Sequence, residues 1–471
     1  MLFPTTDFAV FFSLIFAGHW ILNHKPVPWK LFMIGASYVF YAWWDWRFVV
    51  LLAGVSAAAQ AGATIVGRQS DASRRRAATI AAVVLVLSPL AYFKYYGFFS
   101  VSLSNAFQGL GLHLGIPLSD VVLPVGLSFF SFMAVSYVVD VSRGDAPVAA
   151  TIDAFLYLSF FPHLVAGPIV RPNELIPQLN ARRDQRHVDV TGAAWLILGG
   201  LFKKIVISSY VADTIVTPVF GDPTRHSAAE AFFAIVGYAV VIYSDFSGYS
   251  DIAIGAAKLL GFEFPRNFDR PYSARTLQEF WRRWHMTLSR WLRDYVYIPL
   301  GGNRRGPRRT TINIMLTMML GGLWHGAGWT FILWGALHGG GLLAGRWHRA
   351  RRPDTRAPTA AVIWGQRLAT FAFVCLGWVF FRADSLGTAF GLLGRFLAGW
   401  GTPTTLVGPL LVGTIGLSLG LQLAPRGSGA WIRERVGTLR PVPMGLLFAG
   451  ALFITTSLGP QGVAPFIYFR F

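Results

Sequence analysis

The feature that most constrains this chain is a succession of apolar runs, repeated nearly from one end to the other, with arginine clusters between them. Runs at 7–23, 29–42, 48–67, 77–93, 123–139, 155–169, 193–209 and 229–243 are followed by others at 313–324, 329–345, 360–381, 406–423 and 444–458. A helix of about 20 apolar residues crosses the roughly 30 Å of bilayer hydrocarbon. With no water in that layer to satisfy backbone N–H and C=O groups, such runs fold as helices. Several runs fall short of a full span, so tilted, short, re-entrant or buried helices are expected among them. Composition agrees, with 54% hydrophobic and 13% charged residues, unlike ordinary soluble domains. The predicted fold class is therefore an all-α, polytopic integral membrane protein.

The net charge of +19, from 41 Lys+Arg against 22 Asp+Glu, would suggest a nucleic-acid partner in a soluble protein. Here the basic residues lie between apolar runs: Arg74, Arg75 and Arg76; Arg182, Arg183 and Arg186; Arg304, Arg305, Arg308 and Arg309; Arg346, Arg349, Arg351 and Arg352. The positive-inside rule leaves arginines in cytoplasmic loops in this way. No aromatic-interleaved basic platform accompanies them, so no nucleic-acid partner is expected. Cys375 is the only cysteine, which leaves no intramolecular disulfide. The first run lacks a basic n-region and an A-x-A-like cleavage site, and reads as a retained helix. The longest polar stretches, 171–189 and 346–358, are about 20 residues at most and read as loops, so a single domain over residues 1–471 is expected. No repeat of fixed period is found. Gly109, Gly111 and Gly115 miss the dinucleotide-binding spacing.

Residues 277–295 differ from the rest. Leu277, Phe280, Trp281, Trp284, Leu288, Trp291, Leu292 and Tyr295 form a stripe at three- and four-residue spacing, while Arg282, Arg283, Arg290 and Arg293 lie off it. The spacing predicts one amphipathic helix, at the membrane interface or lining a cavity.

His325 stands in Leu-Trp-His-Gly-Ala-Gly-Trp at 323–329, between two apolar runs bounded by the basic clusters at 304–309 and 346–352. If both clusters are cytoplasmic, the segment enters and returns, and its inbound arm, 311–325, is roughly 22 Å long at about 1.5 Å per residue. His325 then sits at the tip of a hairpin inside the bilayer, where an ionisable side chain is a functional candidate by default. His338, in a glycine-rich apolar run, reads as a structural histidine. His285, at the edge of the stripe between Trp281 and Leu288, can point into the same cavity, although a structural role suits it better when it is taken alone.

An imidazole with an ordinary pKa near 6.5 takes a proton from an attacking hydroxyl at physiological pH, which suits acyl transfer. No H-E-x-x-H or C-x-x-C spacing supports a metal, and no G-x-S-x-G elbow supports a serine acyl intermediate. Acids in apolar surroundings are few, Asp140, Asp245 and Asp251, a thin set for a proton-coupled transporter.

Six stretches then resemble one family in family order: Leu-Pro-Val-Gly-Leu-Ser-Phe-Phe-Ser-Phe from Leu123, Phe-Phe-Pro-His-Leu-Val-Ala-Gly-Pro-Ile from Phe160, Tyr-Ser-Asp-Phe-Ser-Gly-Tyr-Ser-Asp from Tyr243, Asn-Phe-Asp-Arg-Pro-Tyr from Asn267, Phe-Trp-Arg-Arg-Trp-His-Met-Thr-Leu-Ser-Arg-Trp-Leu-Arg-Asp-Tyr-Val-Tyr-Ile-Pro-Leu-Gly-Gly-Asn from Phe280, and Leu-Trp-His-Gly-Ala-Gly-Trp-Thr-Phe from Leu323. Phe-Tyr-Ala-Trp-Trp-Asp from Phe40 and Pro-Phe-Ile-Tyr-Phe from Pro465 join them. Together they resemble the membrane-bound O-acyltransferases (MBOAT), in the bacterial branch of alginate O-acetyltransferases. The core motifs would occupy 120–345, with peripheral helices at 1–100 and 360–471.

The resemblance implies helices around a central tunnel, with His325 as the essential histidine and His285 as the second histidine of the bacterial branch. It implies a cytoplasmic thioester donor, acetyl-CoA or another, with no bound cofactor and no metal. The acceptor would be a hydroxyl of an exopolysaccharide or cell-wall polymer, or a periplasmic transferase partner, and the protein would sit in the bacterial inner membrane. On this view His325 is the base and His285 orients the donor or supports the oxyanion. Trp324, Trp329, Tyr243, Asp245 and Asn303, within the matching motifs, and Arg304, which follows Asn303 directly, are the expected substrate-binding residues. Arg282 and Arg305 are further candidates for donor phosphates. A polysaccharide or lipid-linked-sugar flippase is the competing reading.

Overall fold

The computed structural model describes residues 1–112, 122–351, 357–425 and 427–458, and no strand occurs among them. Among the described residues, five helices are long and apolar enough to cross a membrane, namely Arg47–Gly67, Ala72–Gln108, Val190–Gly221, Ala228–Leu259 and Ala360–Arg382. The chain is a multi-pass, all-α membrane protein, as its apolar runs predict. Its contacts group into two compact units, Met1–Asp189 with Ala256–Pro265, and Val190–Gly255 with Arg266–Phe471. Gly115, Arg352 and the motif from Pro465 lie outside the described residues.

The first unit holds α1 (Thr6–Leu22), α2 (Pro26–Ala42), α3 (Arg47–Gly67), α4 (Ala72–Gln108), α5 (Leu127–Arg143), α6 (Thr151–Ser159), α7 (Phe161–Leu164) and α8 (Pro172–Asn180). Thr5 and Asp71 cap α1 and α4 by accepting the N–H groups of Phe8 and Arg74, which satisfies donors that a helix start leaves open. The run at 155–169 is not one helix. Phe160 leaves helical geometry at ψ 109° and Pro162 opens α7, so the segment folds inward, with Phe160 and Phe161 buried.

The stretch at 171–189, expected as a loop, contains α8. Glu174 Oε2 accepts the Arg171 N–H at 3.0 Å and starts that helix. Arg183 is likewise more than a loop charge. Its guanidinium lies 4.2 Å from the Trp29 ring and 4.1 Å from the Phe262 ring, and burial lowers its pKa to about 10.

The second unit holds α9 (Val190–Gly221), most of α10 (Ala228–Leu259), α11 (Leu277–Trp281), α12 (Met286–Leu292), α13 (Gly306–His325), α14 (Trp329–Arg351), α15 (Ala360–Arg382), α16 (Leu386–Ala398), α17 (Pro409–Leu423), α18 (Ala430–Gly437) and α19 (Pro441–Leu458). α10 runs on to Leu259, past the 243 expected from hydropathy. Asp245 and Asp251 do not end it because Lys204 and Lys203 of α9 neutralise them in ion pairs, which makes carboxylates tolerable at such depth. The two helices touch backbone to backbone, since a Cβ at Gly248 would lie 2.7 Å from Gly200 O. Basic residues from Arg346, expected in a loop, instead continue α14 as far as Arg351.

Candidate active site

The hairpin expected around His325 is present. α13 ends at His325, residues 326–328 turn the chain, and α14 starts at Trp329. The arms pack without room for side chains between them, since a Cβ at Gly335 would fall 2.5 Å from Met318 O and one at Gly322 would collide with Phe331 O. Close backbone approach through small residues is the means by which membrane helices gain packing energy when the surrounding lipid is itself apolar. The 20 residues of α13 span about 30 Å, so the arginines at its start lie far from His325 at its end.

The His325 ring is 2% exposed and meets three other rings edge-on: Trp324 at 4.9 Å, Trp334 at 5.1 Å and Phe381 at 5.1 Å. Phe381 comes from α15, and Trp378, one turn earlier, packs on both Phe381 and Trp334. The imidazole is thus enclosed by aromatic edges and faces, which exclude water from a developing charge.

His285 is the second buried imidazole, 0% exposed. Its place required a correction to the single helix expected over 277–295. The stripe is buried as predicted at Phe280, Trp284, Leu288, Trp291 and Leu292, which removes the interfacial-anchor alternative. The helix, however, breaks into α11 and α12 at His285, whose backbone is left-handed at φ 39°. That conformation costs a non-glycine residue of order 1–3 kcal/mol and persists only where the surroundings enforce it. The segment after Asn267 does so from both sides: Asp269 N–H donates to Arg283 O and Met286 N–H to Asn267 O, each at 2.9 Å.

The His285 ring lies against Phe246 at 4.6 Å, Phe268 at 6.4 Å and Trp324 at 5.9 Å. Trp324 therefore contacts both histidines, and the structure brings His325, His285 and Trp324 together as the sequence reading proposes. Nδ1 of His285 lies 3.1 Å from Asn267 Oδ1, while Nε2 is buried with no hydrogen-bond partner among the described residues.

The other expected substrate residues are placed differently. Tyr243 packs on Phe268 and Trp284 and stands one ring removed from His285. Asp245 is held by Lys204, with side-chain exposures of 3% and 2%, so its charge is engaged within the protein and not displayed to a ligand. Trp329, 57% exposed, opens α14 four residues after His325. Asn303 and Arg304 are exposed in the turn before α13, with Arg282 and Arg305 also exposed, and the first two sit about a full helix length from His325. Asn267, Thr287, Trp334, Trp378 and Phe381 escaped the sequence reading of the site. Asn267 stood in a recognised motif, but only its contact with His285 reveals a task for it.

The sequence pattern of the membrane-bound O-acyltransferase family matches residues 121–382. A probable alginate O-acetylase of Azotobacter vinelandii is 40% identical over 83% of this chain and 76% of its own length. A probable alginate O-acetylase of Pseudomonas putida is 36% identical over the whole of both chains. The peptidoglycan O-acetyltransferase of Helicobacter pylori is 34% identical over 83% of this chain and 79% of its own length. Both histidines and the aromatic wall around His325 lie within the matched span, and the chain belongs to the membrane-bound O-acyltransferase family as an O-acyltransferase.

Proposed function

We propose that the chain, seated in the bacterial inner membrane, moves an acetyl group from a cytoplasmic thioester such as acetyl-CoA to a hydroxyl of an envelope polysaccharide, directly or through a periplasmic transferase. The observation that carries this reading is His325 at the tip of the α13–α14 hairpin, enclosed by Trp324, Trp334 and Phe381 and adjoined through Trp324 by a second buried imidazole. The names of the relatives, for alginate and for peptidoglycan O-acetylation, support a polymer acceptor and acetyl as the group moved.

In this mechanism His325 takes the proton of the acceptor hydroxyl as its oxygen attacks the thioester carbonyl carbon. The C–O bond forms and the C–S bond breaks. The departing thiolate recovers the proton from the imidazolium, leaving an ester, a thiol and a neutral ring. A positioned base of this kind contributes about 10²- to 10⁴-fold, and a water-poor site strengthens every polar contact to the developing oxyanion. Arg304 and Asn303 enter the scheme only for a donor with a long arm between its charged group and its thioester, because α13 separates them from the chemistry.

The test is ester transfer from acetyl-CoA by purified protein, together with the ester content of envelope polysaccharide from cells that carry it. His325→Ala should abolish both while the protein still inserts and elutes as wild type does. Undiminished esterification in that variant overturns the assignment of the base. A deletion that stops polymer export but leaves ester content unchanged would favour a flippase instead.

A further inference from the structure

Asn267 is buried at 1% exposure beside Ser250 and Thr287, themselves 1% and 3% exposed. Its Nδ2 donates to Ser250 Oγ at 3.1 Å. Its Oδ1 accepts the Thr287 hydroxyl at 2.9 Å and, more loosely, the Thr287 backbone N–H at 3.4 Å. A backbone N–H can only donate, so the amide turns its oxygen and not its nitrogen toward residue 287. His285 Nδ1 meets that same oxygen at 3.1 Å and must therefore be the protonated nitrogen. A neutral ring with hydrogen on Nδ1 carries a lone pair on Nε2, and Nε2 is the atom left without a partner among the described residues.

We propose that Asn267 is a positioning residue of the acyl-transfer site: it holds His285 as the Nδ1–H tautomer, so that Nε2 accepts a hydrogen bond from the hydroxyl of the acyl acceptor. This rests on the acyl-transfer reading and makes it more specific. It replaces the oxyanion role expected for His285, which would need a hydrogen on Nε2. The hydroxyl proton stays on its oxygen in this contact until His325 removes it, so His285 aims the nucleophile and His325 activates it. The backbone geometry serves the same end. Asn267 fixes the ring through Oδ1 and, through its own carbonyl, takes the N–H of Met286 next to the left-handed residue. One residue thereby sets both where the imidazole points and which of its nitrogens is bare.

The experiment uses the full-length protein in lipid nanodiscs with histidine labelled with ¹⁵N in the ring. The His285 signals are identified by their loss in His285→Gln. Protonated and bare ring nitrogens resonate in separate regions of the spectrum, and the expected result is a protonated Nδ1 with a bare Nε2. A ring with hydrogen on Nε2 alone, or on both nitrogens, overturns the proposal. In turnover with acetyl-CoA, Asn267→Leu should lower kcat on the order of 100-fold, with KM for the donor within about threefold of wild type. Asn267→Asp, which keeps an oxygen for all three donors, should restore most of that loss and keep the Nδ1–H signal. Equal loss in both variants while the aspartate form retains the tautomer would also overturn it. If the leucine variant does not fold, the wild-type spectrum and the aspartate variant still decide. Wild-type protein with the expected tautomer but no ester product would sink the acyl-transfer reading and leave the tautomer assignment standing.

Discussion

His338 and His285 are both 0% exposed and ringed by aromatic side chains, yet their neighbours leave them in opposite chemical states. The indole N–H of Trp281 donates to His338 Nδ1 at 3.3 Å, so the hydrogen of a neutral ring sits on Nε2. That nitrogen faces Gly377, where a Cβ would lie only 2.8 Å away. At His285 the partner is an amide oxygen, the hydrogen sits on Nδ1, and the lone pair is left on Nε2. His19, in the first unit, repeats the His338 pattern, with Trp29 donating to its Nδ1 at 2.9 Å. Depth alone thus does not mark a functional histidine. An indole is a pure donor and leaves the ring a donor in turn, whereas an amide oxygen leaves the ring an acceptor.

The contrast can be broken most directly by truncation. His285→Ala should lower kcat by about 10²-fold or more, read as ester formed per minute at saturating acetyl-CoA; near-normal turnover would place His285 with His338. The acids offer a similar division. Lys204→Met strips the cation from a buried carboxylate and should destabilise the protein by about 3–5 kcal/mol, seen as early thermal aggregation in detergent. A raised KM at unchanged thermal stability would instead return Asp245 to the substrate. His338→Gln should cost about 1–2 kcal/mol of stability, the scale of one lost buried hydrogen bond, and leave kcat within about threefold. A loss as deep as that of His285→Ala would remove the distinction. Trp329→Ala should have the least effect, within about 0.5 kcal/mol in stability and with unaltered kcat, because more than half of that side chain is exposed.

These outcomes follow the line between what was legible in the sequence and what was not. Hydropathy located nearly every long helix, because lipid imposes a length and a polarity that a single chain displays openly. The hairpin at His325 was legible for the same reason, from two basic clusters and the count of residues between them. The break at His285 was not. Helical periodicity runs unbroken through 277–295, and the left-handed residue is imposed by a segment that starts at Asn267, through two backbone hydrogen bonds with no side-chain signature. Beyond Trp324, the rings that enclose His325 come from Trp334, nine residues on, and from Phe381 on a different helix, neighbours that a motif read along the chain does not display. Asp245 looked like a ligand-binding acid because Lys204, its counter-ion, is more than forty residues away in the chain.

The glycine seam in the hairpin bears on how firmly the site is held. With Gly322 and Gly335 set against opposing backbone, α13 and α14 cannot hinge against each other and must move as one plank. Trp378 and Phe381 come from the end of α15 where Val374, Cys375, Gly377, Val379 and Phe380 are buried as well, so the rings opposite the hairpin are themselves held by packing. His325 therefore sits in a rigid seat that is built before any reactant arrives.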